Sequence, residues 1–103
     1  MPTPAQKLTK AARDLFHAHG WVTFKCAAGM VQNKSGRMVV FGTVGAPDFV
    51  AIKGQRYVCC EVKAGGDRLS PNQVAFQESV ERVFGNYLIV RCVGDVLTWI
   101  QGE

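Results

Sequence analysis

No run of apolar residues in this 103-residue chain approaches the ~18 that a bilayer-crossing helix requires, so nothing in it is expected to span a membrane. The start, Met1-Pro2-Thr3-Pro4-Ala5-Gln6-Lys7, lacks the basic-then-apolar layout of a secretory signal, which leads to the expectation of a cytoplasmic protein. The four cysteines, Cys26, Cys59, Cys60 and Cys92, contain no CxxC spacing. With no export signal they read as reduced, buried thiols rather than as a disulfide frame. Cys59 and Cys60 are adjacent, and neighbours on a strand point to opposite faces, so the pair is poorly placed to grip one zinc ion. There is no internal repeat and no linker, and residues 1–103 read as a single domain. Charge is also sparse. Charged residues make up 19% of the chain and the net charge is +4, which permits a polyanionic partner without establishing one. The apolar content of 48% excludes a disordered chain.

Two helix starts are written almost alike. Thr3-Pro4-Ala5-Gln6 and Ser70-Pro71-Asn72-Gln73 each place a hydroxyl cap before proline, with glutamine three residues after the cap. The first start predicts a helix from about Pro4 to His19, stopped by Gly20, with Leu8, Ala11, Ala12, Leu15 and Phe16 as its buried stripe. His17 and His19, two apart near its end, do not share a face and suit the negative pole of the helix. The second predicts a helix from about Pro71 to Phe84, burying Val74, Phe76 or Val80, and Val83 or Phe84, and ended by Gly85. Between them, 21–26 reads as a strand, 27–37 as an exposed loop and 38–41 as a short strand before a glycine-rich turn. Residues 48–52 and 57–63 flank Lys53-Gly54-Gln55-Arg56 as a β-hairpin. The continuously apolar run 87–91 reads as a central strand buried on both faces, and Asp95 as the cap of a last short helix through Trp99 and Ile100. Trp21 and Trp99 read as core or interface anchors. A hairpin followed by a helical crossover implies an α/β domain with a mixed sheet covered by helices.

Chemistry concentrates in Gly45-Ala46-Pro47-Asp48 and Glu61-Val62-Lys63. Glu61 and Lys63 are two apart on a strand and leave the same face. If Asp48 opens the partner strand, its carboxylate reaches that face from roughly one strand spacing, ~5 Å away. Two carboxylates meeting there make a hard oxygen site suited to Mg²⁺ or Mn²⁺, and the Val62 carbonyl is a further candidate ligand. A neighbouring lysine suits orientation of a water or stabilisation of phosphate charge, which is what phosphodiester hydrolysis requires. Taken separately, an E-x-K pair is often a solvated strand face and a Pro-Asp step a turn. Their combination, followed by a capped helix bearing Gln73, favours a catalytic site. Lys25, Lys34 and Arg37 around the polar stretch, and Arg68 beside the second helix start, are candidate phosphate contacts.

At these residues the chain resembles the PD-(D/E)xK nuclease superfamily, and more closely the VRR-NUC (virus-type replication-repair nuclease) family in its small stand-alone form. The resemblance runs through Gly20-Trp21, Gly29, Gly45-Ala46-Pro47-Asp48, Glu61-Val62-Lys63, Gly66-Asp67-Arg68-Leu69-Ser70-Pro71-Asn72-Gln73 and Gly85. It implies a restriction-endonuclease-like αβββαβ core, metal ligands at Asp48 and Glu61, an active-site lysine at Lys63 and a functional glutamine at Gln73. It further implies a Mg²⁺- or Mn²⁺-dependent, homodimeric endonuclease of branched DNA, with four-way junctions the leading substrate and a bacterial or phage setting. Rival expectations are a nickase, flap or restriction-like nuclease, or a non-catalytic DNA-binding module on the same fold. The family usually carries a glutamate early in the first helix where this chain has Ala5-Gln6, leaving one-metal and two-metal readings open; Gln6 also has a full role as capping-box partner.

Overall fold

The computed structural model describes residues 1–26 and 29–102. The elements run α1 (Pro4–Ala18), β1 (Val22–Lys25), β2 (Gly29–Gln32), β3 (Met38–Phe41), β4 (Phe49–Lys53), β5 (Arg56–Val62), α2 (Pro71–Arg82), β6 (Tyr87–Val90) and α3 (Val93–Gly102). The main sheet has the order β1-β4-β5-β6; β5 and β6 are parallel and the other pairs antiparallel. Setting aside the separate β2–β3 hairpin, α1, β1, β4, β5, α2 and β6 form the expected αβββαβ core, a mixed sheet flanked by helices.

Both capping boxes form. Thr3 Oγ1 accepts the Gln6 amide while Gln6 Oε1 accepts the Thr3 amide, and Ser70 and Gln73 repeat the arrangement on α2. The two helices also end alike. Trp21 N–H reaches the Phe16 carbonyl and Gly20 N–H that of His17; Gly85 N–H reaches Val80 and Phe84 N–H reaches Glu81. This is the double bond of a Schellman stop, which places one residue in the left-handed region. Gly20 fills that position at α1 (φ +85°), but at α2 it is Phe84 (φ +62°) rather than the expected Gly85. Gly85 answers a different need, because a Cβ there would collide with Tyr57 Oη and Val80.

One face of the sheet is the core. Phe49, Ala51, Val58, Cys60, Val62 and Val90 are buried with Ala12 and Phe16 of α1, Trp21, and Val96 of α3. Phe16 sits edge-on to both Trp21 and Phe49, and Trp21 edge-on to Trp99, so both tryptophans belong to this cluster. The Arg56 guanidinium lies 4.8 Å from the Trp21 ring centre and 5.4 Å from that of Trp99, within cation–π range.

Several expectations are corrected. The stretch 27–37 is not simply a loop: Gly29–Gln32 form β2, paired with β3 through a turn in which Asn33 Oδ1 accepts the Ser35 and Arg37 amides. Ala27 and Ala28 lie outside the described residues. The β4–β5 turn is two residues, Gly54-Gln55, because Lys53 and Arg56 already pair. The run at 87–90 is an edge strand bonded to β5 alone, and only Val90 is fully buried. α2 ends at Arg82 rather than near Phe84, and none of its residues is fully buried: Phe76 and Val80 are half-buried and Val74 is exposed, as are Val83 and Phe84 beyond its end, since α2 packs chiefly on edge strand β6. On α1 the stripe holds at Leu8, Ala12, Leu15 and Phe16, but Ala11 faces outward. Of the four cysteines only Cys60 is buried; Cys26 and Cys59 are half-buried and Cys92 is exposed. Asp95 lies inside the first turn of α3 and reaches back to accept the Arg91 and Cys92 amides, satisfying the helix start from within.

Gly45 ties the loop before β4 to the start of α2. It has φ +83°, and a Cβ would fall on the backbone carbonyl of Asn72, next to Gln73. Gly45→Ala therefore meets both left-handed strain and a backbone clash, together on the order of 2 kcal/mol or more. A thermal melt is expected to show a midpoint lower by about 10 °C; an unchanged midpoint would mean that the two segments are not in contact.

Candidate active site

The register of β4 on β5 pairs Phe49 with Cys60, which sets Asp48, one residue earlier, opposite Glu61, one residue later. Side-chain alternation turns both carboxylates away from the core face, and Lys63 follows Glu61 on the same side. The main chain secures Asp48 twice: its amide donates to the Cys60 carbonyl at 2.9 Å, and its carbonyl accepts the Cys26 amide at 3.0 Å. Its side chain is fixed as well, with Oδ2 accepting the Val62 amide at 2.7 Å. One carboxylate oxygen is thereby committed to the backbone of the E-x-K strand.

Glu61 is 2% exposed, the only buried charged residue among those described. Its two oxygens have different surroundings. Oε2 accepts from Gln73 Nε2 at 3.1 Å and lies 3.5 Å from Lys63 Nζ. Oε1 is buried with no hydrogen-bond partner among the described residues. Removal from water first, and the Asp48 carboxylate second, push the Glu61 carboxyl up to about 7, with Lys63 pulling the other way. Gln73 is held in place by its own helix start: Oε1 takes the Ser70 amide, so the amide nitrogen is the end turned to Glu61.

These groups open into one cavity of about 860 Å³, lined from the sheet by Lys25, Cys26, Asp48, Glu61, Val62 and Lys63, and from α2 by Gln73. Asp48, Glu61, Lys63 and Gln73 are thus brought together, and Lys25 shares their cavity. Val62 contributes through its backbone: its amide holds Asp48. Lys34 and Arg37 sit exposed at the β2–β3 turn, and Arg68 is exposed before α2; none of the three lines the cavity. Gln6 lines it from α1 while serving as capping-box partner.

Sequence reasoning missed the rest of the α1 wall, formed by Thr9, Lys10, Arg13, Asp14 and His17. The available signal was the polar face of the helix, with Gln6, Arg13 and His17 seven and four residues apart. Attention to its apolar stripe obscured it.

An unpartnered buried carboxylate oxygen beside a second carboxylate suits a hard divalent cation, the group that would replace the missing partner of Oε1. Among the described residues no group of three or more His, Cys, Asp or Glu side chains forms a metal-holding cluster. Such an ion would rest on no more than the two carboxylates among the side chains of those types.

No family model and no curated protein matches the sequence. Among solved structures, the chain superposes on a VRR_NUC domain with a TM-score of 0.73 at 24% identity, over 96% of both chains. It also superposes on Hjc from Archaeoglobus fulgidus, a Holliday junction resolvase from an archaeal hyperthermophile, with a TM-score of 0.57 at 20% identity. That match covers 84% of this chain and 66% of the other. The fold is that of these proteins.

The raised Glu61 pKa fixes the sign of a stability effect. The folded protein favours neutral Glu61, so this contribution is present below the ordinary value of 4.5 and is lost as pH rises to about 7. In EDTA, Glu61→Gln is expected to match the parent near pH 4.5 and to exceed it at pH 8 by on the order of 2 kcal/mol, read by urea denaturation. Equal stability of the two at pH 8 would mean that the buried charge carries no penalty.

Proposed function

We propose, from the fold shared with a VRR_NUC domain and from the paired carboxylates, that this protein is a divalent-metal-dependent endonuclease of branched DNA. The observation that carries the reading is the convergence of Asp48 and Glu61, with Lys63 and Gln73 alongside, in a cavity edged by basic side chains. Four-way junctions are the favoured substrate, by analogy with the resolvase that shares the fold.

In this reading Asp48, Glu61 and the Val62 backbone carbonyl hold Mg²⁺ or Mn²⁺. When bound, the ion supplies Lewis acidity toward a phosphate oxygen and lowers the pKa of a coordinated water. Asp48 enters with Oδ2 already held by the Val62 amide, so Oδ1 is its free donor. Glu61 offers Oε1, while Gln73 and Lys63 hold Oε2 and keep the side chain from turning. The Lys63 ammonium, 16% exposed at its side chain, lies close enough to the carboxylates to orient a water or to meet developing negative charge.

Matched cutting of a four-way junction needs two sites, which a C₂ dimer provides. The supporting feature is the open half of the sheet. Val22, Ile52 and Tyr57 pair across β1, β4 and β5 on the face opposite the core, as do Phe24, Val50 and Cys59. Val22 is 66% and Phe24 48% exposed, a contiguous apolar surface of the kind that protein contacts cover. We take a second copy of this chain as its occupant.

Two measurements test the reading. Incubation of a synthetic four-way junction, a flap and a linear duplex with Mg²⁺, Mn²⁺ or EDTA is expected to give metal-dependent cutting that favours the junction. Asp48→Asn is expected to abolish cutting, a loss of at least about 10³-fold, while keeping DNA affinity. Equal cutting of duplex and junction would support a restriction-like enzyme instead. Binding to DNA with no cutting under any metal would support a non-catalytic module. In sedimentation, the parent is expected to run as a dimer and Phe24→Asp as a monomer; a monomeric parent at micromolar concentration would remove the dimer.

A further inference from the structure

The cavity is longer than the carboxylate site, and its far wall is the polar face of α1. Arg13 and His17, one turn apart, both turn toward β1 and meet at Thr23. Arg13 Nε donates to Thr23 Oγ1 at 2.9 Å, and His17 Nε2 lies 2.7 Å from the same oxygen. Thr23 sits on the core side of the sheet, paired with buried Ala51, and is half-buried. One hydroxyl thus anchors two cavity-lining side chains, though Thr23 itself does not line the cavity.

What this anchor leaves over is informative. Arg13 is held at Nε, while the terminal nitrogens of its guanidinium carry four N–H donors. Among the described residues Arg13 forms no ion pair. Asp14, the adjacent carboxylate on the helix, lies 2.7 Å from Lys10 Nζ instead. A half-buried guanidinium, fixed at one corner and open at its fork, is arranged to take an oxyanion in two parallel hydrogen bonds. Lys25, two residues beyond Thr23 on the same strand face, lines the same cavity and adds positive charge. Thr23, which holds Arg13, pairs with Ala51, three residues or about 10 Å along the strand from Asp48, so the fork stands apart from the carboxylate pair.

We propose that Arg13 is the seat for a backbone phosphate of the DNA strand that passes through the active site, away from the phosphate being cut, and that Thr23 is the positioning residue that aims it. This rests on the nuclease reading and names a contact that neither the E-x-K motif nor the loop lysines supply. His17 completes the anchor by holding the other side of the hydroxyl.

The test separates the seat from the chemistry by measuring binding in EDTA, where nothing is cut. With a fluorescein-labelled four-way junction and a labelled linear duplex, Arg13→Gln is expected to weaken binding about tenfold on both. The slope of log affinity against log salt should fall by about one. Thr23→Val, which keeps shape and removes the hydroxyl, is expected to weaken binding about threefold, and Thr23→Ser to restore it. In the Arg13→Gln background, Thr23→Val should cost nothing further, because the two act through one contact. Wild-type affinity and slope in Arg13→Gln overturn the proposal, as does a full additional loss from Thr23→Val in that background. If Arg13→Gln melts early, Arg13→Lys serves instead: it is expected to keep the salt slope and lose affinity as Thr23→Val does, and wild-type affinity there is equally fatal. Cutting by the parent chain with Mg²⁺ or Mn²⁺ separates the two claims: loss of affinity at Arg13 in a parent that cuts no DNA leaves the seat and removes the nuclease reading, whereas metal-dependent cutting with no effect at Arg13 does the reverse.

Discussion

The β4–β5 register is the constraint on which the rest depends. A shift of one residue would turn Glu61 into the core and Cys60 toward the cavity, because side chains alternate with a period of two. Three features hold the register. Phe49, Ala51, Val58 and Cys60 are all buried on one face, so slippage would expose a full row of apolar side chains. The tight turn at Gly54-Gln55 fixes the pairing from one end. At the other end the Asp48 carboxylate grips the Val62 amide, so the acid that belongs to the site also locks the strands that form it.

Holding a carboxylate at 2% exposure beside another carboxylate opposes folding, and the surroundings offset that cost only in part. Lys63 and Gln73 satisfy one oxygen of Glu61 and leave the other bare. Among the described residues the other buried side-chain polar atoms without a partner belong to Arg56 and Tyr87, so Oε1 is the one bare carboxylate oxygen. The bare oxygen is what the proposed cation would satisfy, and the electrostatic strain is local, confined to the end of β5.

Much of this was legible before any coordinates. Capping boxes depend on residues three apart, and both formed as read. The hairpin and the E-x-K spacing rest on strand alternation, an equally local rule. What escaped was set by distant contacts. The run at Tyr87–Val90 is apolar enough for a central strand, but its place at the sheet edge is decided by the helical crossover that delivers it, which periodicity does not record. α2 carries apolar residues that a buried helix would use; its position on an edge strand leaves Val74, Val83 and Phe84 outside. β2 was hidden because four residues after Ala27-Ala28, followed by Asn-Lys-Ser-Gly, carry a turn signal stronger than their strand signal. The Arg13–Thr23–His17 cluster joins a helix to the next strand and has no sequence signature beyond a polar helix face.

Gln73 carries a consequence for what variation the chain can tolerate. A helix start of this type accepts glutamate as readily as glutamine at its third position, since either supplies the oxygen that receives the cap amide. Here the remaining atom of that side chain meets Glu61 Oε2, where only a donor fits. Drift from glutamine to glutamate would be silent for the helix but would bring a third acid against a pair already in conflict. Helix grammar and site electrostatics thus intersect at one amide, and of the two residues the motif permits only glutamine satisfies both.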